Sequence, residues 1–107
     1  MLVAIPNFGE RISPRIDCAE SLRLISVDHR KIVETETVKM LVHNILERIN
    51  FIIRLKPDVI ICDGISDLFL QKLNENEIKV IPWVHGAVND IIENYLSGKL
   101  KENKIEN

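Results

Sequence analysis

The sequence predicts an α/β domain: a five-stranded mixed sheet with helices on both faces, ordered β-β-β-α-β-α-β-α. Three observations carry that prediction. The first third of the chain alternates apolar and polar residues at period two, as half-buried strands do. From about Val38 the period lengthens to that of a helix. After Pro57, short unbroken apolar runs alternate with helical stretches, which suits strands covered on both faces of a parallel sheet.

Each element follows in order. Leu2 to Ile5 is a short apolar run stopped by Pro6, and Asn7-Phe8-Gly9-Glu10 has turn chemistry. Residues 21–27 alternate as a strand, Asp28-His29-Arg30-Lys31 forms a polar turn, and Lys31 to Thr37 alternates again with β-branched residues. That pair is a hairpin. Val42, Ile45, Leu46, Ile49, Ile52 and Ile53 then mark one helix face, and Pro57 ends it. Val59-Ile60-Ile61-Cys62 is a buried strand, and Ser66 caps a helix carrying Leu68, Phe69 and Leu73. Lys79-Val80-Ile81 is a further short strand before Pro82. The last helix buries Val88, Ile91, Ile92, Tyr95 and Leu96, with Gly98 closing it in the left-handed conformation.

A right-handed crossover makes the strands at 59–62 and 78–81 parallel, and the hairpin adds antiparallel to the first strand. The resulting three-layer order is that of ribonuclease-H-like domains. Residues 1–100 form the single domain, and residues 101–107 read as a disordered tail that can bury almost nothing.

Composition narrows the function. The chain has 107 residues, 46% hydrophobic and 28% charged, enough apolar material for one core. Only 5% of the residues are aromatic, so the core must be aliphatic. No apolar run approaches the ~20 residues of a membrane helix, and the opening Met1 to Pro6 reads as a first strand, not a secretion signal. Fourteen basic and 16 acidic residues leave a formal net charge of −2, which argues against nucleic-acid binding. Two cysteines are too few for a disulfide scaffold, and a reducing cytoplasm is the expected location.

In open α/β sheets, ligands bind beyond the carboxyl ends of the parallel strands. Three segments end there: residues 7–20, Cys62-Asp63-Gly64-Ile65-Ser66, and Trp83-Val84-His85-Gly86-Ala87. Cys18 and Cys62 are soft candidate ligands for an iron–sulfur or copper centre, with His85 as a nitrogen ligand. The plainer reading makes Cys62 a small core residue after Val-Ile-Ile. Gly64 and Gly86 are either turn residues or places where backbone approaches a ligand. His43 reads as a surface or capping residue, and Trp83 as packed at the sheet's end. Arg11 and Arg15 give the first loop local positive charge.

Several chemistries are excluded on residues. The first strand carries no acid, and Glu47 with Asp63 cannot hold the two metals of a nuclease. Neither Gly-x-Gly-x-x-Gly nor Gly-x-x-x-x-Gly-Lys is present, so nucleotide binding has no motif. No Cys-x-x-Cys pair supports a zinc ribbon or a thioredoxin-type site.

Four segments in order resemble the dinitrogenase iron–molybdenum cofactor biosynthesis family, the NifX-like and NifB C-terminal domains. They are Val3-Ala4-Ile5-Pro6, Ile12-Ser13-Pro14-Arg15-Ile16-Asp17-Cys18-Ala19, Val59 to Ile65, and Gly86-Ala87-Val88 through Tyr95-Leu96-Ser97-Gly98-Lys99-Leu100. Within the second segment, the family's Phe and Gly are replaced by Ile16 and Asp17. The family's Gly-rich stretch before its first helix is replaced by a short apolar one, residues 38–44, with His43 as its only histidine.

The resemblance implies a ribonuclease-H-like fold and a non-enzymatic carrier or scaffold for an iron–sulfur or molybdenum-containing cluster. On that picture Ser13, Arg15 and Cys18 line one wall of the site, Cys62, Asp63 and Gly64 its floor, and His85 with Gly86 the other wall. Arg15 would offset cluster charge, and Cys18, Cys62 and His85 would be the metal ligands. Metallocluster donor or acceptor proteins are the implied partners. The hairpin's edge strand also offers a surface for a second copy of the chain. The alternative function is an interaction or regulatory module on the same fold that has lost its cluster.

Overall fold

The computed structural model describes residues 1–100, so the expected tail at 101–107 lies outside the described residues. Its elements are β1 (Leu2–Phe8), β2 (Arg11–Ile12), β3 (Ser21–Asp28), β4 (Lys31–Lys39), α1 (Ile45–Leu55), β5 (Val59–Ile61), α2 (Asp67–Glu75), β6 (Lys79–Ile81) and α3 (Val88–Leu96). The mixed sheet has six strands in the order β4-β3-β1-β5-β6, with β2 paired to β1 off that path. β1, β5 and β6 are parallel, and β3 is antiparallel to both β1 and β4.

The sheet divides two aliphatic cores by simple alternation. Ala4, Leu22, Leu24, Ile60 and Val80 face Ile49 and Ile52 of α1 and Phe69 and Leu73 of α2. Val3, Ile5, Ile25, Ile61 and Ile81 face Val88, Ile91 and Ile92 of α3. Helices therefore cover both faces. Each fully buried aliphatic side chain contributes about 1.5–3 kcal/mol relative to exposure, and that burial holds the layers together.

The first two helices start on side-chain caps, of which Ser66 was expected and Asn44 was not. The Asn44 side chain accepts from the amides of Leu46 and Glu47, and Lys56 closes α1 in the left-handed region before Pro57. The Ser66 hydroxyl accepts from the Phe69 amide at the start of α2. No side chain caps α3; the Val88 amide donates to the Glu10 carbonyl instead, at 2.9 Å. Gly98 has φ +81°, as its position after α3 predicts.

Three boundaries differ from the sequence reading. β1 runs through Pro6 to Phe8, because the parallel ladder with β5 ends at Ala4 and the missing proline N–H interrupts nothing there. The sixth strand, β2, arises where the chain turns back on the end of β1. The first helix begins at Ile45 rather than near Val38, since residues 38 and 39 still pair with β3 and Asn44 supplies the cap.

Candidate functional site

The three segments singled out in the sequence meet at the carboxyl end of the parallel strands, joined through main-chain atoms. The Ser13 amide donates to the Pro6 carbonyl at 2.8 Å. The Gly64 amide donates to the Pro14 carbonyl at 2.8 Å, and the Ile16 amide donates to the Gly64 carbonyl at 3.0 Å. The Ile12 amide donates to the Gly86 carbonyl at 3.0 Å. On the far side, the Trp83 amide donates to the Asp63 carbonyl and the Val84 amide to the Cys62 carbonyl. Gly64 is needed for this approach: a Cβ there would stand 2.8 Å from the Pro14 oxygen. Gly86, at φ +120°, occupies backbone space that L side chains rarely enter.

Within this frame Asp63 and His85 form a pair, with Oδ2 2.7 Å from Nδ1. The carboxylate is largely enclosed, while the imidazole is 76% exposed. A carboxylate accepting from Nδ1–H fixes the ring and leaves Nε2 as the lone-pair nitrogen, the arrangement that second-shell acids impose on ligating histidines.

The two cysteines separate. Cys62 is fully buried in the core beneath α1 and α2. Burial first, and then the charges of Asp63 and Asp17, push its thiol up to about 12. Cys62 has no exposed surface and packs among core side chains, which favours its reading as a core residue over that of a metal ligand. Cys18 is exposed at the end of a 3-10 turn, Ile16–Cys18. It lines a hollow of about 320 Å³ with Phe8, Ser13, Pro14, Arg15 and Glu20.

The remaining first-loop residues are spent on the loop itself. The buried Ser13 hydroxyl donates to the Arg15 carbonyl at 3.2 Å. Arg15 Nη2 pairs with Asp17 Oδ2 at 3.1 Å, so its charge is partly neutralised before any ligand arrives. Asp17 Oδ1 is buried without a partner. Among the described residues no three or more His, Cys, Asp or Glu side chains gather to hold a metal ion. The structure thus assembles Asp63, Gly64, His85 and Gly86 with the first loop, but not a Cys18–Cys62–His85 ligand set.

Two residues at this end escaped the sequence reading. Trp83 is not packed; it is 55% exposed and has φ +65°. Phe8 is 65% exposed. Its place just past Pro6, in a run read as a turn, hid it. Arg48 was also missed, and there the sequence did hold a signal: it lies three residues after Ile45 and one before Ile49, on the apolar stripe of α1.

The fold has solved counterparts. PH0822 matches with a TM-score of 0.89 at 23% identity, over 96% of this chain and 95% of that one. A Methanocaldococcus jannaschii protein provisionally named a dinitrogenase matches with a TM-score of 0.80 at 20% identity, over 96% of this chain and 94% of that one. A Thermotoga protein provisionally named NifB, of the DUF35 family, matches with a TM-score of 0.76 at 19% identity, over 94% and 91%. No family model and no curated protein matches the sequence. This chain therefore has the fold of proteins named for the dinitrogenase and NifB theme. Among the described residues no helix is long and apolar enough to cross a membrane.

Proposed function

We propose that this chain is a non-enzymatic carrier or scaffold for an iron–sulfur or molybdenum-containing cluster, on a ribonuclease-H-like fold. The observation that carries the reading is the Asp63–His85 pair, which presents an oriented, solvent-facing imidazole where three backbone-joined segments converge. The likeness in fold to proteins named for dinitrogenase and NifB supports it. The mixed sheet of the order β4-β3-β1-β5-β6, with helices on both faces, supports the fold part of this reading.

The donor set fits a cargo that brings its own sulfide ligands better than a bare ion. The solvent-facing His85 imidazole can anchor such a cluster, whereas a bare ion needs a full protein cage. Arg11, which makes no ion pair among the described residues, replaces Arg15 as the cation nearest to free. Cluster donor and acceptor proteins in the cytoplasm are the proposed partners, and exposed Phe8 and Trp83 are the surface they would touch.

The same aromatics favour the second reading, an interaction module without cargo. Anaerobic incubation with iron, sulfide and molybdate or copper, followed by visible absorption and metal analysis, decides between them. A coloured, metal-loaded protein that loses its metal in His85→Ala supports the carrier. A colourless, metal-free product overturns it.

A further inference from the structure

Arg48 sits on the buried stripe of α1 with 7% of its surface exposed. Its Nη1 donates to the Ala19 carbonyl at 2.7 Å and reaches Met40 Sδ at 3.8 Å. Nε and Nη2 make no hydrogen bond among the described residues. No carboxylate lies within ion-pair distance of the guanidinium among them. Nε and Nη2 are not among the buried unpartnered atoms, so they face solvent and are left free to meet an anion.

The same arginine lines a hollow of about 320 Å³ between the start of β3, the end of β4 and the segment leading into α1. Lys39 and His43 line it as well, both exposed. Among the described residues Glu20 is the one carboxylate on the lining, and it pairs with neither cation there. We propose that this hollow binds a small, doubly charged oxyanion of the phosphate class, with Arg48 as the buried anchor and Lys39 at the rim. A guanidinium presents paired N–H donors that match two oxygens of such a group, and an ammonium adds a third contact. The volume accommodates a phosphate together with a small organic substituent. The site is separate from the Asp63–His85 pair and needs no metal.

The test uses the full, metal-free chain. Titration with inorganic phosphate, against sodium chloride at matched ionic strength, is followed by calorimetry and by the unfolding midpoint, which rises with bound ligand. Saturable binding is expected. Lys39→Gln, at an exposed position outside the core, should weaken binding about tenfold, the effect of one charge-assisted hydrogen bond. Glu20→Gln should tighten binding. Arg48→Met should abolish it, although that variant also loses the bond to the Ala19 carbonyl and so is read only with the other two. O-phosphoserine as a second probe separates a free ion from a phosphorylated metabolite. Tighter binding of O-phosphoserine than of phosphate assigns the hollow to a phosphorylated metabolite, and the reverse assigns it to the free ion. No saturable binding of either probe, or binding unchanged in Lys39→Gln, overturns the proposal.

Discussion

The Gly64 amide donates to the Pro14 carbonyl at 2.8 Å, and a Cβ on Gly64 would stand equally close to that oxygen. The first loop and the end of β5 are therefore in contact only because residue 64 has no side chain. Gly64→Ala must push one backbone segment off the other. We expect a loss of about 1–3 kcal/mol, measured as a lower urea midpoint. An unchanged midpoint would show that the loop yields freely.

Asp63 is expected to act on cargo through His85. Asp63→Asn keeps the shape but weakens the hold on the ring, and loss of such a partner lowers metal affinity about 10–100-fold. Metal content after anaerobic loading should fall accordingly, with His85→Ala lower still. Equal loading in wild type and His85→Ala would remove histidine from the ligand set.

The cysteines should differ in reactivity. A thiol-specific reagent at neutral pH should modify Cys18 in the native protein and Cys62 only after unfolding. The pH dependence follows from the raised thiol of Cys62. In the unfolded chain it titrates near 9.0, in the folded chain near 12. Between these values the unfolded state has released the proton that the folded state retains. Its contribution to stability is complete below pH 9 and is lost as the pH rises toward 12. Cys62→Ala should flatten this part of the stability–pH curve relative to wild type, and curves of equal slope would contradict the assignment.

The β3–β4 turn is strained. His29 and Arg30 have φ of +53° and +64°, the sign that a type I′ hairpin demands at both central positions. Neither residue suits it. Replacing the pair by Asn-Gly should raise stability by about 1 kcal/mol, seen as a higher urea midpoint at unchanged slope. A lower midpoint would mean that the exposed Asp28–His29 contact contributes more than surface pairs do.

Much of the architecture was readable because burial writes periodicity into the chain. Val59 to Ile61 lacks alternation because both faces are covered, and Ser66 marks a helix start because its hydroxyl is the cap. The reading failed where two periods agree by chance. Val38 and Val42 fit a helical stripe, yet Val38 faces Leu22 in the β3–β4 ladder and Val42 lies in the connecting loop. The site was legible as segments, since strand ends can be read. Its pairings were not: nothing local tells that Asp63 will meet His85 22 residues later, or that Arg15 will turn to Asp17. Cys62 stood in the sequence as either core filler or ligand, and its full burial favours the former.

Apart from the Asp63–His85 pair, the wall-to-wall hydrogen bonds of the site join amides and carbonyls, from Ser13–Pro6 to Val88–Glu10. Hydrogen bonds between main-chain groups make no demand on side-chain identity, except where Gly64 must stay small and Gly86 must hold its positive φ. Such a frame keeps its shape while the residues projecting from it are exchanged almost at will. Chains about one-fifth identical can then superpose over nearly their whole length, and one scaffold can host different functions.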